Sequence, residues 1–131
     1  GSRIRTVEED GTVFSLTGDL KSLNWSQVIG DEDKYYDAIY GIALGKNNDL
    51  FAAGGTNSRG LKAQFKGVWQ NDFIGDVDGM LLRFDSKNGI LLSGKYYGTA
   101  NYEQAYFVQT DLKGNPYIFG QTEGQISNQA A

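Results

Sequence analysis

Two groups of acidic side chains in this chain could bind a calcium ion. The first group contains Asp31, Asp33 and Asp37, and the second contains Asp76 and Asp78. Calcium prefers oxygen-rich loops that supply about six to eight ligands. Neither group has the spacing of an EF-hand loop, and two aspartates are too few ligands. The competing interpretation is a solvated loop for the first group and the start of a strand for the second. The sequence therefore predicts no obligatory cofactor, with calcium as a possible ligand.

Paired carboxylates could also hydrolyse glycosidic bonds, with one acid as proton donor and the other as base or nucleophile. Asp33, Asp37 and Glu103 are the acids that could take those roles. They lie in predicted loops that recur along the chain, which is typical of a structural role. The chain has no Cys and no His, which excludes Ser-His and Cys-His catalytic arrangements, disulfides and the usual zinc sites. We therefore predict that the chain is not an enzyme, and a carbohydrate-active enzyme domain is the last of the alternatives.

A basic and aromatic cluster interrupts this acidic chain, whose net charge is −4. It lies within residues 57–76, which we call the insert. One interpretation is a segment that folds back and buries its aromatic rings over a sheet. The other is a contact loop for an anionic or sugar ligand, formed by Arg59, Lys62, Phe65, Lys66 and Trp69.

Three tyrosines are further candidates for ligand contact. Tyr35, Tyr36 and Tyr102 could stack on sugar rings, because aromatic faces are flat and apolar. The alternative is that these rings pack between structural units. No basic stripe is present among the 12 Lys and Arg residues, which argues against a nucleic-acid partner. No apolar run approaches the roughly 20 residues of a membrane helix, so we predict no membrane insertion and expect protein or glycan partners.

These residues are positioned by an internal repeat. Residues 37–56 (DAIYGIALGKNNDLFAAGGT) align with residues 103–122 (EQAYFVQTDLKGNPYIFGQT) at an offset of 66, so that Gly54 falls on Gly120 and Thr56 on Thr122. A fixed period is the signature of a repeat architecture, which usually provides a binding surface.

The repeat extends toward the N-terminus at an offset of 68. There Asp10 falls on Asp78 and Gly30 on Gly98. We place the repeat units at about residues 10–56 and 78–122 of a single domain, with the insert between them. The two-residue change of offset is of a kind that loops accommodate.

The elements of each unit are strands. Apolar and aromatic runs alternate with connectors rich in Gly, Asn and Asp, which favour turns. An eight-stranded β-sandwich is one arrangement, but the period favours a β-propeller. We predict an all-β, antiparallel fold of about two four-stranded blades, one complete central blade between two half blades, with strands at residues 12–16, 23–29, 38–44, 50–53, 80–84, 90–97, 105–110 and 117–119.

The order of glycine, acidic, aromatic and apolar motifs along the chain resembles the SBBP-type β-propeller repeats of secreted and surface bacterial proteins, such as those of Bacteroidetes. The resemblance covers nearly the whole chain through short, glycine-rich motifs. Asn48-Asp49 stands where the repeats usually have Gly-Asn. The matching residues are Trp25-Ser26, Gly30, Asp37-Ala38, Tyr40-Gly41-Ile42-Ala43, Gly54, Thr56, Asp78-Gly79, Phe84-Asp85, Gly89 and Tyr97-Gly98.

The resemblance implies a non-catalytic binding or scaffold module, outside the cell or on its surface. A propeller needs about four or more blades, so we expect either the rest of a longer parent chain or self-association to close it. The ending Ser127-Asn128-Gln129-Ala130-Ala131, part-way through a repeat, favours the longer chain. The alternative function is a lectin-like chain that completes a ring by oligomerisation.

Overall fold

Three antiparallel sheets make up the fold. The structure is a computed structural model that describes residues 9–30 and 35–125. A central four-stranded sheet has the order β3-β4-β5-β6, and two-stranded sheets β1-β2 and β7-β8 flank it. The elements are β1 (Gly11–Leu16), β2 (Leu23–Ile29), β3 (Asp37–Leu44), β4 (Asp49–Thr56), α1 (Leu61–Gln64), β5 (Asp78–Asp85), β6 (Leu91–Tyr97), β7 (Glu103–Thr110) and β8 (Pro116–Thr122).

This arrangement confirms the predicted all-β, antiparallel fold, in which one complete four-stranded unit lies between two halves. The predicted strands all form, with ends that differ by a few residues. The connectors also behave as their composition predicts. Asn47 and Asn48 turn the β3–β4 hairpin with φ of 56° and 65°, a region that Asn tolerates better than most residues. Gly89 and Gly114 adopt positive φ in the β5–β6 and β7–β8 hairpins.

The central sheet packs against other elements on both faces. On one face, β1-β2 and the insert contribute to the larger core. Trp25 of β2 stacks on Phe84 of β5 with ring centroids 6.1 Å apart, and its Nε1–H donates to the carbonyl of Ser86 at 2.8 Å. On the opposite face, a smaller core joins β4 to β7. Successive residues of β4 therefore face different cores, which explains why the strand is apolar on both faces between Leu50 and Ala53.

Backbone geometry repeats along with the sequence. Irregularities of strand pairing interrupt β1 and β5 at equivalent positions, and β3 and β7 share another at their own equivalent positions. Such bulges re-aim a strand and are specific features of a fold. The register shifts fall between Ser15 and Leu16, between Arg83 and Phe84, between Ile39 and Gly41, and between Ala105 and Phe107.

The insert folds back onto the sheet, as one of its two interpretations predicts. It contains the short helix α1, which the sequence analysis did not anticipate. Leu61 of α1 and Trp69 are buried in the larger core. The backbone of the insert also bonds to β6, because Gln70 N–H donates to the carbonyl of Gly94 at 2.8 Å. Nowhere in residues 9–30 and 35–125 does a helix reach the length and apolarity that crossing a membrane requires.

Candidate binding site

Asp37, a candidate acid for both calcium and catalysis, is engaged in a buried hydrogen-bond cluster. The Oγ1–H of Thr56 donates to Asp37 Oδ1 at 2.6 Å, and the Oγ–H of Ser58 donates to Asp37 Oδ2 at 2.6 Å. All three residues are buried. The cluster ties the start of β3 to the end of β4, so both oxygens of this carboxylate already have structural partners.

Glu103 makes the same connection one repeat later. The Oγ1–H of Thr122 donates to Glu103 Oε1 at 3.0 Å, and Thr99 donates to both oxygens, from Oγ1–H at 2.6 Å and from N–H at 2.8 Å. The acid starts β7 and the threonine ends β8, as Asp37 and Thr56 do in β3 and β4. The recurrence indicates that these acids brace the repeat unit.

Asp78 is buried with one unsatisfied oxygen. The N–H of Ile74 donates to its Oδ2 at 2.7 Å, whereas Oδ1 has no hydrogen-bond partner among the described residues. Burial, with a further contribution from the nearby charge of Glu103, raises the pKa of Asp78 from 3.8 to about 6 despite the bond from Ile74. The neighbouring Asp76 is exposed.

The described residues do not gather the candidate calcium ligands into a cluster. Within residues 9–30 and 35–125, no three acidic side chains gather closely enough to hold a metal ion. Asp31 and Asp33 lie outside the described residues. Asp37 braces a strand pair, Asp76 is exposed, and Asp78 is buried at the start of β5.

The predicted tyrosines meet in a cleft between the central sheet and β7-β8. This cleft, which we call the tyrosine cleft, has a volume of about 240 Å³ and is lined in part by Tyr36, Tyr40 and Tyr102. Tyr36 pairs with Glu9 and Tyr102 with Val77 in matching parallel bridges. Two of the three predicted tyrosines thus come from equivalent positions of successive repeats, while Tyr35 is half-buried and does not line the cleft.

Polar amides complete the lining of the tyrosine cleft. Gln104 Nε2–H donates to Tyr102 Oη at 2.9 Å, and its Oε1 has no hydrogen-bond partner among the described residues. Asn57 accepts the N–H of Tyr36 through Oδ1 at 2.6 Å. Tyr40 packs against Tyr106, its counterpart in the next repeat, with centroids 5.3 Å apart. Flat aromatic rings can stack on a sugar, and the hydroxyls of the tyrosines can bond to it.

The basic and aromatic residues of the insert lie elsewhere. The ring of Trp69 is buried, 6.2 Å from Phe65 and 4.8 Å from Tyr96 between centroids. Lys62 Nζ forms an exposed ion pair with Asp72 at 3.0 Å. Arg59 lies over the ring of Phe73 and Lys66 is exposed. None of the predicted insert residues lines the tyrosine cleft.

A second concavity was missed by the sequence analysis. This side groove, about 380 Å³ in volume, lies on the face of β5 and β6 that β7-β8 leaves partly open. Arg83 Nε lies 2.9 Å from Asp49 Oδ1, and Lys95 Nζ lies 5.2 Å from the centroid of Tyr97. The signal was present in the alternation of β5 and β6, since every second residue of a strand shares one face. The groove is lined by Asp49, Phe51, Gln70, Leu81, Arg83, Ser93, Lys95, Tyr97, Gly114 and Pro116.

Comparison with known proteins assigns no ligand to either concavity. No protein-family model matches the chain, and no curated protein matches it. The resemblance to SBBP repeats therefore stays a prediction, and the functional argument depends on the geometry.

Proposed function

We propose that this chain is a segment of a β-propeller that serves as a non-catalytic binding or scaffold module in a secreted or cell-surface bacterial protein. One observation carries the proposal. The central sheet is packed between two half-sheets, β1-β2 and β7-β8, that are equivalent to its own second and first halves. Face-to-face stacking of identical four-stranded units is the way in which a propeller buries both faces of each sheet.

The approach of β3 to β7 supports stacking around an axis. These are the equivalent first strands of successive repeats. A Cβ added at Gly41 of β3 would lie 2.8 Å from the carbonyl oxygen of Tyr106 in β7, so the two backbones nearly touch. The outer strand β6, in contrast, borders the partly open side groove. Sheets that converge at their first strands and diverge at their last are wedge-shaped, as propeller blades are.

A binding function fits the acids better than catalysis does. The carboxylates of Asp37 and Glu103 accept hydrogen bonds from threonines at equivalent positions, Thr56 and Thr122. Ser58 also donates to Asp37, and Thr99 donates to Glu103. A catalytic acid pair needs access to a substrate, whereas Asp37, Asp78 and Glu103 are all buried. The extracellular or surface location rests on the resemblance to SBBP repeats.

We infer that the tyrosine cleft contacts a glycan or a protein loop. Its tyrosines come from equivalent positions of two repeats, so a ring of repeats would present the cleft several times. This duplication favours the second candidate function, a lectin-like chain that closes a ring by oligomerisation.

A glycan array probed with the fluorescently labelled chain tests this function. We expect binding to a subset of saccharides that is lost in the double variant Tyr36→Ser/Tyr102→Ser, because two of the three tyrosine rings that line the cleft are removed. Leu112→Ser is the matched control, since Leu112 is 93% exposed in a turn away from the cleft. Saccharide binding that persists in the double variant would place the site elsewhere. A wild-type chain that binds neither glycans nor surface proteins would contradict the contact function itself.

A further inference from the structure

The two ends of the described fold expose apolar residues whose counterparts in the central sheet are buried. Phe14 of β1 is 58% exposed, whereas Leu82, its counterpart in β5, is fully buried. Leu16 is likewise exposed and its counterpart Phe84 is fully buried. The outer face of β1-β2 therefore has the composition of a face that another sheet covers.

The other end shows the same contrast. Tyr117 of β8 is 55% exposed, whereas its counterpart Phe51 in β4 is 5% exposed. Phe119 is also exposed, and its counterpart Ala53 is fully buried. Contiguous exposed apolar surface of this kind marks an interaction site.

Each end also has a free strand edge. Within residues 9–30 and 35–125, β8 pairs only with β7 and β1 pairs only with β2. Their counterparts β4 and β5 pair with each other in the central sheet. Edge strands are usually protected by charged residues, but β1 (GTVFSL) and β8 (PYIFGQT) contain none. Only Pro116, at the start of β8, limits pairing there.

We propose that the two ends join between copies of this chain, with β8 of one copy pairing antiparallel with β1 of the next. The result is a composite four-stranded sheet of order β7-β8-β1-β2, in which the last two strands belong to the second copy. A second copy is the occupant that fits because one chain carries both halves of the missing sheet. The inference rests on the repeat that supports the proposed function.

The central sheet specifies the register of this contact. Replacing each residue of the β4–β5 ladder by its counterpart gives the intermolecular pairs directly, with offsets of 66 for β4 and 68 for β5. Phe51 pairs with Arg83, Ala52 with Leu82 and Ala53 with Leu81. The transferred pairs are Tyr117 with Ser15, Ile118 with Phe14, and Phe119 with Val13.

The side groove receives the second copy in this arrangement. Leu82 and Phe84 lie on the face of β5 that packs against β1-β2. Their counterparts Phe14 and Leu16, carried on the second copy, would therefore face the opposite side of β5 and β6 in the first copy. That side is the groove lined by Leu81 and Tyr97, among others. The contact thus covers both the exposed apolar residues and the open groove.

Assembly of this kind is heterologous, because one surface of each copy meets a different surface of the next. Each copy adds one complete and one composite sheet. Since propellers have roughly four to eight blades, about two to four copies would close a ring.

Disulfide trapping between two single-cysteine variants tests the contact. The chain has no Cys, so Ser15→Cys and Tyr117→Cys each introduce one thiol. We expect rapid disulfide formation when the two variants are mixed under mild oxidation. Neither variant alone should cross-link, because neither edge is predicted to meet itself. Gln121→Cys is the register control, since it lies four residues along the same strand and about 13 Å from the predicted partner.

The outcomes separate the alternatives. A mixed disulfide that forms at least about tenfold faster with Tyr117→Cys than with Gln121→Cys supports the predicted register, because disulfides need Cα atoms within about 7 Å. Cross-linking of Ser15→Cys with itself, equal rates for the two partners, or no cross-linking in a chain that keeps its β-sheet circular dichroism would overturn the contact.

A second measurement remains decisive where cysteine disturbs a strand. Phe14→Lys places a charge on the contact face, and we expect it to weaken association by at least about tenfold in sedimentation velocity, as loss of a central interface aromatic commonly does. Leu112→Lys is the control and should associate normally. Equal association of both variants, or a monomeric wild-type chain, would contradict the proposal. Glycan binding by the tyrosine cleft is measured separately, so failure of one proposal leaves the other tested on its own.

Discussion

Replacement of Asp78 by asparagine should stabilise the chain at neutral pH and have little effect in acid. Asp78 is fully buried, and its Oδ1 has no hydrogen-bond partner among the described residues. Ionisation in this site is unfavourable because burial removes the carboxylate from water, which raises its pKa to about 6. Asparagine keeps an oxygen that can accept the N–H of Ile74 and never ionises, so the variant removes the charge without removing the bond.

The sign and size of this stability change follow from the pKa of Asp78. An acid whose folded-state pKa is raised binds more protons when folded than when unfolded, so stability falls as pH rises through that window. Here the window runs from 3.8, the ordinary value, to about 6. At 1.36 kcal/mol per pKa unit, ionisation of Asp78 lowers the free energy of unfolding by roughly 3 kcal/mol above the window. Below the window Asp78 is protonated in both states, so this loss of stability is absent.

Urea unfolding of both proteins at about pH 7.5 and about pH 3.5 measures this difference. We expect Asp78→Asn to gain about 2–3 kcal/mol at the higher pH and almost nothing at the lower one. Asp111→Asn is the control of opposite sign. Hydrogen bonds, led by the N–H and side chain of Asn115, lower the pKa of Asp111. Its replacement should therefore reduce stability at about pH 7.5 and matter less in acid. A loss of stability in Asp78→Asn at both pH values would refute the reasoning, since it would mean that the ionised carboxylate is favourable in its site.

Two further predictions concern the core and the strand braces. Trp69→Ala should lower the free energy of unfolding by about 3–5 kcal/mol, because it leaves a cavity between the insert and β6. Urea unfolding measures this loss. A loss under about 1 kcal/mol would mean that the insert does not pack as described. Thr56→Val should lower the free energy of unfolding by about 1–3 kcal/mol, because the buried carboxylate of Asp37 then loses the hydrogen bond to its Oδ1. Thr122→Val is the equivalent change at an exposed threonine and should lower the free energy of unfolding by no more than about 1 kcal/mol. Equal losses at the two positions would contradict an effect of burial.

Local composition was enough to predict the eight strands, because each strand signal is complete within a few residues. The alternation of apolar residues and the Gly, Asn and Asp connectors do not depend on distant contacts. Asn47, Asn48 and Gly89 turn the hairpins with the positive φ that their residue types tolerate. The aligned repeats predicted the grouping of the strands, since equivalent strands must have equivalent neighbours.

The structure of the insert depends on contacts distant in sequence, which local patterns do not reveal. Trp69 is buried because the backbone at Gly94 leaves room for its ring: a Cβ at that glycine would lie 2.4 Å from the indole. Helix α1 spans only Leu61–Gln64, too short for a helical period to appear in the sequence. The aromatic residues of the insert were therefore compatible with a core, the favoured interpretation, and also with a ligand contact.

The candidate sites were predicted only in part for the same reason. Tyr36 and Tyr102 were identified by residue type, but their meeting in one cleft follows from the packing of β7-β8 against the central sheet. Arg83 and Lys95 were not identified at all, although they lie on the same face of neighbouring strands. Pairing register brings such residues together, and a single strand pattern does not specify its partner.

A crystal structure of the assembled chain tests the central claim most directly. It should show four-stranded sheets stacked around an axis, with every second sheet formed by β7-β8 of one copy and β1-β2 of the next, and with Tyr117 opposite Ser15. A structure in which β1 and β8 remain unpaired, or in which each pairs with itself across a two-fold axis, would contradict the account.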